Sequence, residues 1–407
     1  MPLRVATLFS NVYITGSEIR MLNFARAVDP NVLEYLLIVI AHSEEQDRAH
    51  GSLRPQYAEA GVRIIDLDMP PWDEEVVRLH PLAIIPGLWK MWRTVWRIFR
   101  VLRKEKIDVL ECHGESPIIL GTVAAILARK KFVATAYGIT FWDRPMWRTL
   151  ARFIFFLNRA LITDSRERAE LFHKWLWRRL PCYVVPNGIE PPLPCRPREE
   201  VARELSIPLI PGEKIIGQVS RLVPAKGHYV VVDAAREVLA NYPNARFIFC
   251  GFLSTWCPTD YVANLMKKAE EAGFADRLHI FGYPGPIGDV WQLIDIHVHG
   301  SLIDSSPIAI HEAMSLGKPT VGTREGGIPE LVIDEKSGMV VPKNDSHAIA
   351  VALLRLLNEP ALAVQFGAAA QERYRQRHRP EVMARHLEKV FLTVAREVQG
   401  EEAAIPV

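Results

Sequence analysis

Short apolar runs rich in β-branched residues alternate with helical patterns along the first half of the chain. The runs predict strands at Leu3–Phe9, Tyr35–Ala41, Val62–Asp68, Ile107–His113, Lys131–Tyr137, Ala160–Asp164 and Tyr183–Val185. Amphipathic patterns lie between most of them, the first from about Glu18 to Val28. Such alternation is typical of βαβ units, so we predict a doubly wound parallel sheet, which binds ligands at the carboxyl ends of its strands.

A proline-rich stretch, PNGIEPPLPCRP at Pro186–Pro197, interrupts this alternation and predicts an interdomain linker. Beyond it we expect strands at Ile215–Val219, Arg246–Gly251, Leu278–Gly282, Asp295–His299 and Pro319–Gly322, and helices at Lys226–Ala240, Val262–Ala272 and Glu381–Val398. The predicted fold class is therefore α/β, with two doubly wound Rossmann-like domains at 1–190 and 191–380 facing a cleft. The final helix and tail, 381–407, can pack back on the first domain.

Composition agrees with two soluble globular domains. The chain has 407 residues, of which 49% are hydrophobic and 24% charged. Its cysteines, Cys112, Cys182, Cys195, Cys250 and Cys257, are scattered, and His297 and His299 alternate on a strand without a third ligand nearby, so we expect neither disulfides nor a metal. The longest apolar run, Pro117–Ala128, is too short to span a membrane, and the N-terminus predicts a strand rather than a signal peptide. These features favour a reducing cytoplasm.

The segment from Asp304 to Gly327 begins with a helix start. Ser306 is expected to cap the helix through its hydroxyl, and Pro307 to occupy the first helical position, where the missing N–H is not needed. The amides of Ile308 and Ala309 then lie at the positive end of the helix dipole, a common place for phosphate. Most helices that follow a strand have such an end and bind nothing, so a purely structural role stays open.

Charged residues surround this predicted anion site. Asp304 precedes the helix and Glu312 lies one turn inside it, so the two carboxylates can flank a ligand. Arg221 and Lys226 follow the first strand of the second domain and reach the same sheet edge, where a guanidinium and an ammonium suit a diphosphate. The Gly326–Gly327 pair permits close backbone approach at a third loop. The alternatives are solvated loop cations and an ordinary glycine turn.

Several motifs, in order, resemble one enzyme family. RLVPAKG, HGS followed by Asp304 and Glu312, then GKP and GGIPEL resemble the C-terminal nucleotide-sugar domain of the retaining glycosyltransferases of family four, which have the GT-B fold. TGSEIRMLNFARAV is similar to that family's glycine loop and first helix, and VPNGIE to the signature that ends its first domain. The resemblance covers nearly the whole chain and is densest from 215 to 342.

The resemblance implies transfer of a sugar from a nucleotide diphosphate donor to an acceptor, with retention of anomeric configuration and without a metal or other cofactor. Arg221 and Lys226 would hold the diphosphate, and Glu312 the ribose hydroxyls. Gly16 would let a backbone amide approach the phosphates, and the amides of Ile308–Ala309 would complete the anion site.

The candidate catalytic residues are those at which the chain departs from the family pattern. Asp304 stands where the family has a glutamate facing the donor sugar, and Ser306–Pro307 replaces the usual Phe-Gly, so the sugar pocket differs in shape. Tyr137 stands where the family often has a histidine; a tyrosine donates a hydrogen bond but does not titrate near neutral pH. His113, at the end of the preceding strand, can partly substitute, or is simply a polar strand end.

A basic, tryptophan-rich region lies in the first domain. Residues 88–179 hold 19 basic and 8 acidic residues and seven of the ten tryptophans. A helix over Leu88–Lys106 would carry Lys90, Arg93, Arg97, Arg100 and Lys104 on one face, Met91, Val95, Ile98 and Leu102 on the opposite face, and Trp89, Trp92 and Trp96 between them. Further aromatic residues accompany arginines at Phe141–Arg148, Arg152–Phe156 and Trp175–Arg179.

Trp beside Lys and Arg is the composition of a helix at an anionic membrane interface. An ordinary amphipathic helix whose Trp rings pack under a loop is the main alternative, and the sugar-nucleotide motifs argue against a nucleic-acid partner. We therefore expect a cytoplasmic, peripheral enzyme at the inner membrane face, using a UDP-sugar in preference to a GDP-sugar and a lipid-linked or glycolipid acceptor in polysaccharide or glycolipid synthesis. A nucleotide-sugar epimerase of the same fold and a non-catalytic nucleotide-sugar-binding protein remain alternatives.

Overall fold

The computed structural model describes residues 2–43, 51–69, 84–137, 145–176, 180–251 and 258–396. It divides the chain into two compact units. The first unit contains Met1–Gly188 and Pro380–Val407, and the second contains Ile189–Arg379.

Parallel strands form one sheet in each unit. The strands are β1 (Leu3–Phe9), β2 (Leu33–Ala41), β3 (Arg63–Met69), β4 (Val109–His113), β5 (Lys131–Thr135), β6 (Leu161–Thr163), β7 (Cys182–Val184), β8 (Lys214–Val219), β9 (Ala245–Cys250), β10 (Leu278–Phe281), β11 (Ile296–His299), β12 (Thr320–Thr323) and β13 (Met339–Val341). In the described residues the order is β3-β2-β1-β4-β5-β6-β7 in the first unit and β10-β9-β8-β11-β12-β13 in the second. Two Rossmann-like α/β domains, as predicted, are thus confirmed.

Helices connect these strands. They are α1 (Gly16–Ala27), α2 (Arg54–Glu59), α3 (Ile84–Lys104), α4 (Glu115–Ala128), α5 (Pro145–Leu157), α6 (Arg166–Trp175), α7 (Arg198–Glu204), α8 (His228–Asn241), α9 (Tyr261–Glu271), α10 (Ile287–Trp291), α11 (Ile308–Ser315), α12 (Ile328–Leu331), α13 (Ser346–Asn358), α14 (Pro360–Arg377) and α15 (Pro380–Arg396), with short 3-10 turns at Pro224–Lys226 and Ala275–Arg277. The last helix, α15, packs in the core of the first unit, where Phe391 lies edge-on to Phe24.

The strand order of each sheet reverses at its centre. In the second unit this point lies between β8 and β11, whose registers place His297 beside Gly217. Doubly wound sheets bind ligands beyond the carboxyl ends of the strands at such a reversal. The loop after β8 carries Arg221 and Lys226, and the loop after β11 carries Asp304, so the fold brings the predicted donor residues to that edge.

Two local predictions are wrong. The helix expected from Lys226 begins at His228, because Gly227 has a φ of 68° and ends the preceding 3-10 turn. The predicted Ser306 cap is also wrong: α11 begins at Ile308, Pro307 takes the cap position, and no side chain caps the helix.

Candidate active site

Two loops of the second unit are joined by backbone contacts. Ala225 O accepts hydrogen bonds from Leu302 N at 2.8 Å and Ile303 N at 3.3 Å. Gly227 approaches the second loop so closely that an added Cβ would lie 1.9 Å from Gly300 O. These contacts fix the backbone of Lys226 relative to that of the 300–304 loop.

Lys226 and Asp304 form an ion pair at this junction. Lys226 Nζ lies 2.5 Å from Asp304 Oδ2, with side-chain exposures of 13% and 12%. His299 Nε2 lies 3.0 Å and Ser301 Oγ 3.1 Å from the same carboxylate oxygen. Burial alone raises the pKa of Asp304, but the His299 hydrogen bond and the Lys226 charge outweigh it and hold that pKa well below its usual range.

Glu312 has the opposite electrostatic environment. Burial raises its pKa to about 7, although a hydrogen bond from Trp291 Nε1 to Glu312 Oε2 at 2.8 Å lowers it in part. Trp291 is fully buried in α10, so it fixes the carboxyl group from below. A carboxyl group of this kind can change its charge near neutral pH.

The N-terminus of α11 lies beside these residues. Ile310 N donates to Pro307 O, while the amides of Ile308 and Ala309 make no backbone hydrogen bond in the described residues. Gly327 N donates to Ser305 O at 2.8 Å, and Gly326 has a φ of 51°, a conformation that favours glycine. The Gly326–Gly327 loop therefore lies next to the loop that carries Asp304.

Arg221 is the exposed cation of this group. It follows β8, and its guanidinium has no ion-pair or hydrogen-bond partner within the described ranges. The loop places it at the same sheet edge as Lys226 and leaves it available to an anion. In the described ranges, no group of three or more His, Cys, Asp or Glu side chains is arranged to hold a metal ion.

The candidate residues of the first unit lie at the carboxyl ends of β4 and β5. Tyr137 Oη lies 3.4 Å from His113 Nδ1, so the fold brings these two together. His113 is 3% exposed, and its Nε2 lies 2.8 Å from Oε1 of Glu111. Burial raises the pKa of Tyr137 well above its usual value, which keeps the phenol protonated. Gly16 begins α1 in this same unit.

Three polar residues of these sites escaped sequence analysis. Glu111 lies fully buried in β4 between Thr7 and Thr135, whose hydroxyls donate to it. Its sequence signal was a carboxylate inside a buried strand. The sequence analysis considers His299 only as a possible metal ligand beside His297 and does not single out Trp291, because their contacts with Asp304 and Glu312 join separate elements.

The basic, tryptophan-rich helix is α3. Trp89, Trp92 and Trp96 are 64%, 49% and 48% exposed. They line an open groove of about 450 Å³ with Arg93, Arg97 and Arg100. The opposite face packs in the core of the first unit through Val95, Ile98 and Leu102, as predicted.

The further aromatic residues of this domain differ in exposure where the structure describes them. Phe155 and Trp175 are buried and pack against Phe172, whereas Phe156 is 47% exposed. Phe141–Arg144 and Trp177–Arg179 lie outside the described residues. No single helix of the described ranges has the length and apolar character of a membrane span; α13 and the α14–α15 segment reach both only together, across a bend of 103°.

Comparison with known proteins identifies both halves of the chain. Residues 15–192 match the family described as Glycosyltransferase Family 4, and residues 203–373 match the family described as Glycosyl transferases group 1. The UDP-Gal:alpha-D-GlcNAc-diphosphoundecaprenol alpha-1,3-galactosyltransferase of Escherichia coli is 26% identical over 290 residues, which cover 68% of this chain and 73% of that protein.

Three further proteins are similar to this chain, one in part of its sequence and two in their fold. The D-inositol 3-phosphate glycosyltransferase of Corynebacterium glutamicum (strain R) is 32% identical over 184 residues, 44% of this chain and only 43% of that protein. The crystal structure of Anabaena Alr3699/HepE in complex with UDP and glucose has a TM-score of 0.77 at 18% identity and covers 96% of this chain and 100% of its own. A putative UDP-N-acetylglucosamine 2-epimerase from Listeria monocytogenes shares the fold, with a TM-score of 0.64, 14% identity and 99% coverage of both chains. The fold alone does not separate glycosyltransferases from nucleotide-sugar epimerases, because both have it, whereas the two family matches do. This chain is a GT-B glycosyltransferase with a family 4 domain followed by a group 1 domain.

Proposed function

We propose that the protein transfers a sugar from a nucleotide diphosphate donor, a UDP-sugar in preference to a GDP-sugar, to a lipid-linked or glycolipid acceptor. The observation that carries the donor half is the convergence of Lys226, Asp304 and the first amides of α11, which make no backbone hydrogen bond in the described residues, at one sheet edge. A helix N-terminus and a cation together stabilise the charge of a leaving diphosphate. Arg221 adds a second cation, so the proposed chemistry uses no metal.

The nucleoside is assigned to the rest of this site. Glu312 would accept hydrogen bonds from the ribose hydroxyls, and the Gly326–Gly327 loop would approach the phosphates or the sugar. The choice of UDP is supported by similar proteins, which include a UDP-galactose enzyme and a protein crystallised with UDP and glucose.

Asp304, Tyr137 and His113 are the proposed catalytic candidates, for transfer with retention. Tyr137 stays protonated because desolvation raises the pKa of its phenol, so it would act as a hydrogen-bond donor and not as a base. His113 lies beside it and can orient its hydroxyl. Gly16 would let a backbone amide of α1 approach the phosphates.

The acceptor and the place of action are inferred from α3. Three exposed tryptophans beside three arginines match the chemistry of an anionic membrane surface. The E. coli relative's name specifies a diphosphoundecaprenol acceptor. We therefore assign the protein to the inner face of a membrane, as a peripheral enzyme of polysaccharide or glycolipid synthesis.

A donor and acceptor panel tests the transfer. The protein is incubated with UDP-, GDP- and ADP-sugars and a lipid-linked GlcNAc-diphosphate, and products are identified by mass spectrometry and their anomeric configuration by NMR. A glycosylated lipid that keeps the donor's configuration supports the proposal. Epimerised donor without transfer, or nucleotide binding without any product, contradicts it and favours the epimerase or the non-catalytic protein.

Vesicle sedimentation tests the membrane surface. The wild type is expected to bind phosphatidylglycerol-containing vesicles, less so at high salt, and the Trp89→Ala/Trp92→Ala/Trp96→Ala variant to lose most of that binding. Leu193→Ala/Val364→Ala is the matched control, since it removes apolar side chains that are 67% and 72% exposed in the second unit. Equal binding by the tryptophan variant and the wild type, or no binding by the wild type, contradicts the assignment.

A further inference from the structure

One oxygen of Asp304 collects three donors. Oδ2 lies 2.5 Å from Lys226 Nζ, 3.0 Å from His299 Nε2 and 3.1 Å from Ser301 Oγ. Ser301 Oγ also lies 3.0 Å from His299 Nε2, so these two donors contact each other as well as the carboxylate. Donors of the protein itself therefore surround Oδ2 of Asp304.

The backbone that presents these groups is itself fixed. Gln218 Nε2 donates to Lys226 O at 2.8 Å, and Gln218 Oε1 accepts from Gly300 N at 3.4 Å, so one side chain joins both loops. Thr323 Oγ1 donates to Ser301 O at 2.6 Å from the neighbouring strand. The distance between Lys226 and Asp304 is therefore set by the protein scaffold.

The protonation of His299 follows from its partners. Its Nδ1 is buried and has no hydrogen-bond partner among the residues that the structure describes, so a proton there would be an unsatisfied donor. Nε2 faces a carboxylate, which only accepts hydrogen bonds. His299 is therefore neutral, with its single N–H on Nε2 directed at Asp304, in agreement with a pKa that burial lowers despite the nearby carboxylate.

These contacts hold the Asp304 carboxylate in its ion pair with Lys226. A buried ion pair is stabilised only when further hydrogen bonds satisfy its remaining atoms, and His299 and Ser301 supply these. We propose that Asp304 acts by holding Lys226 in place for the diphosphate of the donor, and that His299 and Ser301 are the residues that position Asp304. This rests on the proposed donor site and changes the role of Asp304 within it, from a contact of the transferred sugar to the anchor of the phosphate-binding lysine.

Binding of UDP, which carries no sugar, separates these two roles. Asp304→Ala, measured by calorimetry, is expected to weaken UDP binding about tenfold or more, the effect of losing a charge-assisted hydrogen bond. If the carboxylate only contacted the sugar, Asp304→Ala would leave the affinity for UDP unchanged and would lower only the affinity for the UDP-sugar. Asp304→Asn is the second variant, since it keeps the shape and folds with less disturbance; we expect it also to weaken UDP binding, by about threefold or more.

A double-mutant cycle shows whether Asp304 acts through Lys226. If it does, Lys226→Ala/Asp304→Ala binds UDP about as weakly as Lys226→Ala alone. The anchor role would be overturned if the losses were additive, that is, if the double variant lost UDP affinity by the product of the two single-variant factors.

His299 is tested by shape-conserving substitutions. His299→Phe removes the donor and is expected to weaken UDP binding about fivefold, whereas His299→Gln, which retains an N–H donor, is expected to restore at least half of the loss in free energy. His297→Phe is the matched control: His297 lies two residues away in β11, is equally buried and contacts Thr320, not Asp304. Unchanged UDP affinity in His299→Phe, or an equal loss in His297→Phe, contradicts the positioning role.

Nucleotide binding by the wild type separates failure of the anchor role from failure of the proposed donor site. A wild type that binds UDP, GDP or ADP and transfers sugar, with Asp304 and His299 variants that bind the same nucleotide equally well, overturns the anchor alone. A wild type that binds none of the three nucleotides overturns the anchor and the proposed donor site together.

Discussion

Glu312 and Asp304 are two carboxyl groups of one site that the fold drives in opposite directions. Asp304 has a lysine, a histidine and a serine around one oxygen, and its pKa falls. For Glu312, the hydrogen bond from the Trp291 N–H only partly offsets burial, and its pKa rises to about 7. The difference depends on which partners the loops supply, which residue type and spacing alone do not specify.

The raised pKa of Glu312 predicts a pH-dependent stability difference. A carboxyl group whose pKa is higher in the folded state binds more protons there, so its contribution is full below the unfolded value of 4.5 and declines as pH rises through about 7. Between pH 5 and 8 the wild type should therefore lose on the order of 1–2 kcal/mol of unfolding free energy relative to Glu312→Gln, after allowance for partial exposure. Urea denaturation of both proteins across this range measures it; parallel curves would contradict the assignment.

Gly227 predicts a steric effect in the same site. It has a φ of 68°, and an added Cβ would lie 1.9 Å from Gly300 O, so Gly227→Ala combines backbone strain with a backbone clash. We expect a loss of about 3 kcal/mol or more in unfolding free energy. Gly273→Ala is the control, since Gly273 has a φ of 78° but no atom within 4 Å of the added Cβ; it should lose only about 1 kcal/mol. Equal losses in urea denaturation would show that the clash is relieved.

At the scale of elements, the strands were predictable because their apolar runs are buried on both faces. The helix starts were less so. Ser306 and Pro307 have the residue types of a cap and a first helical residue, yet α11 begins one residue later, because the 300–307 loop is held by tertiary contacts with Ala225 and Gly327. Such long-range contacts override local propensity.

Helices α3 and α6 show the limit of composition as a guide to surfaces. Both carry Trp among basic residues, but Trp92 is 49% exposed and Trp175 only 6%. Trp175 packs on Phe172 of the same helix and on Phe155 of the neighbouring helix α5. The hydrophobic periodicity of α3 predicted its buried face. No local pattern of α6 predicted that Phe155 of α5 would pack on Trp175.

Helix α15 predicts a local stability effect. Phe391 is fully buried and lies 6.0 Å from Phe24, centroid to centroid, so Phe391→Ala should destabilise the first unit by about 3–5 kcal/mol. Hydrogen–deuterium exchange should then accelerate in β1 and β2 and not in β8. Lys389→Ala, an exposed position of the same helix, should leave all three strands unchanged. Faster exchange in β8 alone would contradict the placement of α15 in the first unit.

At the scale of the molecule, the repeated strand–helix alternation and the proline-rich stretch predicted two α/β domains. The sequence predicts divisions after residues 190 and 380. In the structure, the chain passes from one unit to the other after Gly188 and after Arg379. Motif order indicated which loops carry the donor residues. The contacts of Asp304 with Lys226 and His299 were not predictable. The first joins loops 78 residues apart in the chain, and the second depends on which face of its strand His299 occupies.

The central claim is that the second unit binds the donor diphosphate through its loop cations during sugar transfer. Once the panel has identified a donor, steady-state transfer by Lys226→Ala tests this claim most directly. Lys267→Ala is the control, since Lys267 is 70% exposed and its ion pair with Glu271 lies on the surface.

Lys226→Ala should lower kcat/KM about 100-fold or more, the effect of removing one group that stabilises transition-state charge, while Lys267→Ala stays near the wild type. Transfer by Lys226→Ala within about threefold of the wild type would contradict the donor site.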